Sequence, residues 1–461
     1  MTLIKSISGI RGTIGGKPGE NLSPFDIVKF TASFIFFHQQ RQAKKDITIV
    51  IGRDARISGK IIEDIIVATV SSMGANVINT GLSTTPTVEM AVILSKGDGG
   101  IIITASHNPR QWNALKLLNE KGEFLSKADG EAVLKLSENL NFDFATVDEL
   151  GKITNDNSFI KKHIDEILSL SLVNPEIIKK ANFKIVVDGV NSTGGIAVPK
   201  LLEALGVSQV IPLYCEPTGE FPHNPEPLPE NLTIISKVVV QQGADMGIVV
   251  DPDVDRLAFI MENGEMFGEE YTLVAVADYI LRNKKSGNSV SNLSSTRALK
   301  DITEKYGGKY SASAVGEVNV VEKMKETKAD IGGEGNGGVI YPELHYGRDS
   351  LVGIALFLTY LAELKTTISK LRASYPDYYI SKNKITLTSE MNVDDIFTKI
   401  SNIYQKYPIN KIDGIKIDFP NGWVQLRTSN TEPIIRIYAE GTSKENADKL
   451  ANEIIALIKS G

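Results

Sequence analysis

The feature that most constrains this 461-residue chain is a repeated unit: a short apolar run that stops at glycine or aspartate and gives way to helical periodicity. Ile47-Thr48-Ile49-Val50-Ile51 ends at Gly52-Arg53-Asp54. Lys184-Ile185-Val186-Val187 ends at Asp188-Gly189, and Met246-Gly247-Ile248-Val249-Val250 ends at Asp251. Such runs, without polar alternation, suit strands covered on both faces, as in a parallel sheet flanked by helices. Strands alternating with amphipathic helices predict βαβ units and an α/β class. Ligands of such sheets bind beyond the carboxyl ends of strands, and the polar clusters of this sequence stand at those ends.

Helix starts are marked conventionally. Ser23 reads as an N-cap, with Pro24 at the first helical position and Asp26 in the first turn. Ser58 is placed to cap a helix carrying Ile61, Ile62, Ile65 and Ile66. From about Ile380 the pattern changes to strand, helix, three strands and a helix, a small α+β unit. Residues 442–445 have capping-box spacing, and the last helix aligns Ala447, Leu450, Ala451, Ile454, Ile455 and Ile458 on one stripe. The expected division is three similar α/β domains with mixed, mainly parallel sheets (1–153, 154–256, 257–372) and a smaller α+β domain (373–461), with 373–379 as linker.

Composition narrows the function classes. A net charge of −6 argues against a dedicated nucleic-acid binder. The single cysteine excludes an internal disulfide and a multi-cysteine metal site. No apolar stretch reaches about 18 residues and no secretory signal is visible, so a cytoplasmic-type protein without membrane partners is expected. The five histidines show no ligand-spaced pair, and P-loop, H-E-x-x-H and G-x-S-x-G signatures are missing.

Four clusters carry the chemistry. In Thr104-Ala105-Ser106-His107-Asn108-Pro109 a buried strand delivers a serine into a turn, with Lys116 ten positions on. Ser106 reads as a nucleophile or phosphate carrier, or as one member of an ordinary backbone-bonded turn. In Asp251-Pro252-Asp253-Val254-Asp255-Arg256 three carboxylates follow a strand and repel one another unless neutralised. All-oxygen ligation favours Mg²⁺, the alternative being an exposed acidic turn paired with Arg256. An EF-hand fails here, because Arg256 stands where that loop needs glycine and 257–260 reads as a strand. The glycine-rich segment 332–338 precedes a strand rather than a helix, so it is no dinucleotide fingerprint. It presents Glu334 and Asn336 to ligand hydroxyls, or forms a flexible turn. Finally, Arg427-Thr428-Ser429-Asn430-Thr431-Glu432-Pro433 can hold a phosphate dianion, or be a polar hairpin turn. Alternation puts Arg436 opposite in facing to Ile435 and Ile437, where it can support that anion.

In this order the clusters resemble the signatures of the α-D-phosphohexomutase superfamily. Ser8-Gly9-Ile10-Arg11-Gly12 resembles its S-G-I-R-G start, 104–109 its T-A-S-H-N-P phosphoserine loop and 251–256 its D-G-D-x-D-R metal loop. Residues 333–337 resemble its G-E-x-S-G sugar loop, and 427–433 its R-x-S-x-T-x-P phosphate loop. The resemblance implies a four-domain, heart-shaped enzyme around a central cleft. It moves a phosphoryl group between C1 and C6 of a hexose phosphate through a phosphoserine and a sugar 1,6-bisphosphate, which also serves as activator. It implies phosphorylated Ser106, and one Mg²⁺ held by Ser106, Asp251, Asp253 and Asp255. Lys116, Arg11 and His107 are implied at the transfer centre. Glu334, Asn336, Arg427, Ser429, Asn430, Thr431, Arg436 and Arg256 are implied at the substrate.

The segment departs from the family at Ala114 and Pro252, and more at Asn336 and Gly338, where serine and histidine are usual. His345 or Arg348 is expected to supply the contact of that histidine. The form G-E-G-N-G-G resembles an archaeal-type branch, so the expected reaction is that of a phosphoglucosamine mutase. Phosphoglucomutase or phosphomannomutase, a metal-dependent sugar phosphatase and a non-catalytic sensor are the alternatives. The expected assembly is a monomer or homodimer.

Overall fold

A computed structural model describes residues 2–6, 9–388, 391–429 and 433–459. The backbone divides into two compact units, Met1–Ile280 with Asn336–Arg372, and Leu281–Gly335 with Ala373–Gly461. The architecture is three α/β layers and a smaller C-terminal α+β domain, as the alternation predicts.

The first unit opens with a seven-stranded sheet. Its parallel centre is Gly99–Ile103, Thr48–Arg53 and Asn76–Leu82, edged by Ile153–Asn155. Trp112–Leu118 runs antiparallel beside Gly99–Ile103, followed by Gly9–Thr13 and Ile4–Ser6. Both faces are covered, one by a core that includes Phe30, Phe34, Ile62 and Ile66, the other by Val88, Val92 and Phe159. The second sheet has four strands in the order Leu257–Met261, Met246–Val250, Lys184–Asp188, Gln209–Leu213, only the first being antiparallel. The first layer is thus larger than the second, because antiparallel strands extend its edge.

In the second unit Ser289–Asn292 lies parallel to both Tyr310–Ser313 and Ile331–Glu334. The C-terminal sheet is entirely antiparallel, in the order Tyr379–Thr386, Ile434–Gly441, Gly422–Thr428, Ile415–Phe419, Ile409–Asn410. The last of these is a two-residue strand that the sequence pattern does not reveal. The helix Lys444–Lys459 buries Ala447, Ala451, Ile454 and Ile458 on this sheet, with Leu450 and Ile455 packed at the margin.

Capping agrees at one helix, fails at a second and shifts at a third. Ser23 and Asp26 form a reciprocal capping box at Pro24–Gln42. Ser58 does not cap the helix Gly59–Ser72; its hydroxyl instead accepts a hydrogen bond from Asn113 Nδ2 at 2.9 Å, and Ile61 faces solvent. At the last helix the cap is Ser443, one residue later than the spacing predicts, with Asn446 N donating to its Oγ at 3.2 Å. Among the described residues no helix is long and apolar enough to cross a membrane.

Candidate active site

The serine loop leaves a strand that is buried along its whole length, Gly99–Ile103. Ser106 has φ +47°, a left-handed conformation that costs a non-glycine residue of order 1 kcal/mol and persists only where surroundings impose it. They do so here. Thr104 Oγ1 accepts from Ser106 N at 2.9 Å and donates to Asp54 at 2.6 Å. The buried guanidinium of Arg56 donates to the carbonyls of Ser106, Asn108, Pro109 and Trp112 and pairs with Asp54. Ser106 Oγ donates to Asp251 Oδ2 at 2.6 Å, a contact across 145 positions of sequence.

Asp251, Asp253 and Asp255 are each fully enclosed, which removes the reading of an exposed acidic turn. Asp251 Oδ1 accepts from the backbone N–H groups of Asp255 and Arg256, both at 3.1 Å. Asp253 Oδ2 accepts from Thr85 Oγ1 at 2.6 Å and from Lys116 Nζ at 2.7 Å. Asp255 Oδ2 accepts from Arg348 Nη2 at 2.6 Å and from Lys116 at 3.3 Å. Val254 takes φ +65°, a genuine outlier for a β-branched residue. The loop is held from below by Ser192 and Thr193, whose hydroxyls donate to Pro252 O at 2.6 and 2.9 Å. Arg256 does not pair with the trio; it donates to Glu226 Oε1 at 3.2 Å.

The electrostatics ask for a cation. Burial, then Asp255 and Asp253, push the Asp251 carboxyl well above its usual range. For Asp253 burial acts the same way but is outweighed by Lys116 together with hydrogen bonds from Asp251, Lys116 and Thr85, so its carboxyl lies below that range. Burial opposes charge on Lys116 too, yet Asp253 and Asp255 keep it protonated beyond its ordinary value. Asp253 Oδ1 and Asp255 Oδ1 are buried and accept no hydrogen bond. One donor oxygen from each of the three carboxylates lies within 4.8 Å of the others. An all-oxygen set with orphaned acceptors and residual negative charge fits Mg²⁺.

The other expected residues of this unit sit as follows. Arg11 lies opposite Ala114 on the neighbouring strand, which sets it on the same face as Lys116 two residues on. Burial lowers its pKa. His107 Nδ1 is 3.3 Å from Ser106 Oγ; burial, then Arg256, bring its pKa down to about 2, so the imidazole is neutral. Asn336 Oδ1 accepts from Gly338 N at 3.3 Å. A Cβ on Gly338 would fall 2.4 Å from Arg348 Cδ, so the missing side chain is what lets Arg348 reach Asp255. His345 points elsewhere, to Asp349 at 3.3 Å.

In the second unit Glu334 is buried and accepts from Asn292 Nδ2 at 2.8 Å and Gly316 N at 3.1 Å. Ser429 N donates to Ile434 O at 3.0 Å, closing the hairpin. Arg427 faces Arg436 directly across the ladder, and Arg436 faces Lys384 on the next strand. Three cations therefore share one row, unfavourable for a bare sheet and suited to an anion. Ser8, Asn430 and Thr431 lie outside the described residues.

Sequence reasoning missed Arg56, Thr85, Ser192, Thr193 and Lys384. Lys384 joins the row only through the pairing of its strand with Ile434–Gly441, and the others act through contacts fifty or more positions away. It also missed that His163 and His345 meet, both bonded to Asp349 Oδ2. The expected lack of a histidine pair is corrected on that ground, since spacing along the chain does not report pairing across it.

Sheet plan and serine–aspartate centre accord with a phosphoryl-transferring enzyme, and the family comparisons make it an isomerase. Sequence models described as phosphoglucomutase/phosphomannomutase, alpha/beta/alpha domains I, II and III and C-terminal domain, match residues 3–143, 161–264, 268–379 and 384–457. The chain belongs to this family, within the α-D-phosphohexomutase superfamily. It is 36% identical to a phosphoglucomutase/phosphomannomutase of Thermococcus kodakarensis over 95% of each chain. It is 30% identical to a phosphoglucosamine/phosphogalactosamine mutase of Sulfurisphaera tokodaii over 98% of each. The fold matches a crystal structure of a phosphoglucomutase/phosphomannomutase family protein from Burkholderia thailandensis with TM-score 0.85, at 24% identity, over 100% of this chain and 98% of that one.

Proposed function

We propose that this phosphohexomutase interconverts glucosamine 6-phosphate and glucosamine 1-phosphate in the cytoplasm, using Ser106 as phosphate carrier. The carrying observation is the Ser106 hydroxyl bonded to Asp251 within a buried trio of carboxylates that retains two orphaned oxygens. Phosphoryl transfer demands alignment and neutralisation of the equatorial oxygens more than covalent help. Asp251, Asp253 and Asp255, with the Ser106 phosphate, would hold Mg²⁺, and a bound ion would supply positive charge to the transferring group. Lys116, kept protonated by two aspartates, adds fixed positive charge, and Arg11 on the same sheet face adds more.

In the forward half-reaction the Ser106 Oγ–P bond breaks as a bond forms from phosphorus to the free sugar hydroxyl. The sugar hydroxyl gives up its proton as the departing Ser106 Oγ gains one, and neutral His107, its Nδ1 3.3 Å from Oγ, stands where it can relay that proton. A phosphate dianion on Oγ raises that imidazole's basicity at the moment it is needed. The bisphosphorylated sugar then turns over, and Ser106 takes back the other phosphate. Glu334, Asn336 and Arg256 are assigned to sugar hydroxyls. Arg427, Ser429, Asn430, Thr431 and Arg436 are assigned to the phosphate not in transfer, whose binding energy is used for positioning. Domain divisions near 153, 256 and 372 give each domain one of these loops. A monomer or homodimer acting on a hexose phosphate, with a sugar 1,6-bisphosphate as activator, completes the reading.

The preference for the amino sugar is supported by the G-E-G-N-G-G loop, with Arg348 in the space left by Gly338, and by the relative named for phosphoglucosamine and phosphogalactosamine. A coupled assay of the Mg²⁺-loaded phosphoprotein on glucosamine, glucose and mannose phosphates side by side tests it. Glucosamine phosphate should give the highest kcat/KM, and intact mass should show one phosphoryl group that Ser106→Ala lacks. Release of free phosphate independent of Ser106 overturns the reading in favour of a phosphohydrolase, and binding without turnover in favour of a sensor.

A further inference from the structure

The first unit holds a second enclosed cluster of ligand-type side chains, apart from the serine–aspartate centre. His163 comes from the helix Phe159–Ser169, and His345 and Asp349 from the loop ahead of the helix Ser350–Leu364. His163 and Asp349 are 0% exposed and His345 5%. His163 Nε2 lies 3.0 Å, and His345 Nε2 3.3 Å, from one and the same oxygen, Asp349 Oδ2. Donor atoms from all three fall within 4.8 Å of one another. An ion held tetrahedrally by nitrogen and oxygen at about 2.0–2.2 Å spaces its donors about 3.3 Å apart.

The surroundings complete the pattern. The other nitrogen of each ring has an oxygen beside it: Thr87 Oγ1 hydrogen-bonds His163 Nδ1 at 3.0 Å, and Glu89 Oε2 lies at an ion-pair distance of 3.4 Å from His345 Nδ1. With Nδ1–H turned toward these outer oxygens, each Nε2 would present its lone pair to a metal in place of the hydrogen bond it makes to Asp349 Oδ2. Asp349 Oδ1 is occupied by the backbone N–H groups of Leu351 and Val352, which leaves Oδ2 for the ligand. Glu89 is built into the loop as well: a Cβ on Gly347 would fall 1.9 Å from its Oε2. Two enclosed carboxylates in so small a space call for compensating positive charge, from imidazolium protons or from a divalent cation.

We propose that His163, His345 and Asp349 form a zinc site, completed by a water and oriented by Thr87 and Glu89. Its task is structural. Asp349 adjoins Arg348, whose guanidinium holds Asp255, and Thr87 shares a helix with Thr85, whose hydroxyl holds Asp253. A cation here ties both supports of the aspartate loop to one point, without touching the sugar.

The test uses the full chain carrying Asp251→Asn and Asp253→Asn, which disables the other cation centre, loaded with Co²⁺ or Zn²⁺ after chelation and then desalted. One equivalent per chain should remain, and the Co²⁺ form should show the strong visible absorption of a four-coordinate site. Glu89→Gln should weaken binding about 10- to 100-fold, and His163→Gln by at least about 100-fold. Where a histidine variant fails to fold, hyperfine-shifted N–H signals of two imidazoles in Co²⁺-loaded unsubstituted protein decide the matter. Retention of no metal, retention that survives loss of both histidines, or weak six-coordinate absorption confined to protein with an intact aspartate trio overturns the proposal.

Discussion

The serine–aspartate centre of the first unit and the cation row of the second treat charge in opposite ways. The centre encloses three carboxylates, and each is held by side chains from segments far apart in sequence: Thr85, Ser106, Lys116 and Arg348. The row of Lys384, Arg436 and Arg427 follows from strand alternation and pairing; Lys384 stands in solvent and the two arginines are half-buried. Like charges that keep contact with solvent repel less than enclosed ones and are screened by salt, so a half-buried row costs less to build than an enclosed trio. A buried charge left without its partner costs several kcal/mol, so the centre exists only where the whole fold supplies partners. The buried site should therefore respond to substitution steeply, in rate and folding together, and the cation row mildly, in substrate affinity.

Asp253→Ala should show the largest effect. It removes one orphaned acceptor and strands Lys116, whose other carboxylate contact is the longer one to Asp255. A fall in kcat of about 10³-fold, with KM little changed, is expected from losing charge stabilisation of the transferring group. Near-native kcat in a cooperatively folded variant would sink the assignment of the aspartate loop.

Next in size is a folding effect that separates burial from partnership. His38 is fully enclosed between the rings of Phe34 and Phe37, and neither of its nitrogens has a hydrogen-bond partner. Burial, the dominant cause, lowers its pKa from 6.5 to about 4. Below pH 6.5 the unfolded chain binds a proton that the folded chain refuses, so stability falls as pH drops and levels off beneath about 4. The loss should total about 3 kcal/mol, and His38→Leu should abolish it. Urea titrations at pH 7.5, 5.5 and 4 (values chosen to bracket roughly the two pKa values) read this through Trp112, the tryptophan of the first unit, in a Trp423→Phe background.

The contrast between the two sites also explains what the sequence could reveal. Ser106 and the aspartates were legible because two motifs, 104–109 and 251–256, each pack their residues into six consecutive positions after a buried strand. The cation row was half legible: Arg427 and Arg436 show in the loop and its alternation, whereas Lys384 needed the pairing of Tyr379–Thr386 with Ile434–Gly441. Arg56, Thr85 and Ser192 were not legible, since nothing near them in sequence shows that they hold loops dozens of positions away. The cap at Ser58 failed for a related reason, its hydroxyl being taken by Asn113 from another strand. Alternation and helix stripes gave the layers; long-range polar bonds, which have no period, decided the site.

Within the cation row, Arg427→Ala should raise KM about 10- to 30-fold, as expected for one lost charge-assisted contact to a phosphate. The effect should shrink at high ionic strength, and kcat should fall less than KM rises. Arg427→Lys should restore part of the affinity, because the point charge returns without the planar fork. An unchanged KM for both variants across salt concentrations would remove the phosphate assignment.

The smallest effect probes how the two kinds of site meet in one residue. Arg348 is an arginine of the buried kind, bonded to Asp255, yet it occupies space that exists only because Gly338 lacks a side chain. Arg348→Ala should lower kcat about 30-fold by removing one charge-assisted bond from a buried carboxylate. Gly338→Ala should act through the same bond, its Cβ displacing the arginine's Cδ, and lower kcat about 5-fold. The two must then fail to add. In the Arg348→Ala background the alanine at 338 should have almost no further effect on kcat, a coupling of about 1 kcal/mol in a double-mutant cycle. Additive losses would mean that Gly338 serves the backbone of its own loop, and that Arg348 reaches Asp255 without needing the space beside it.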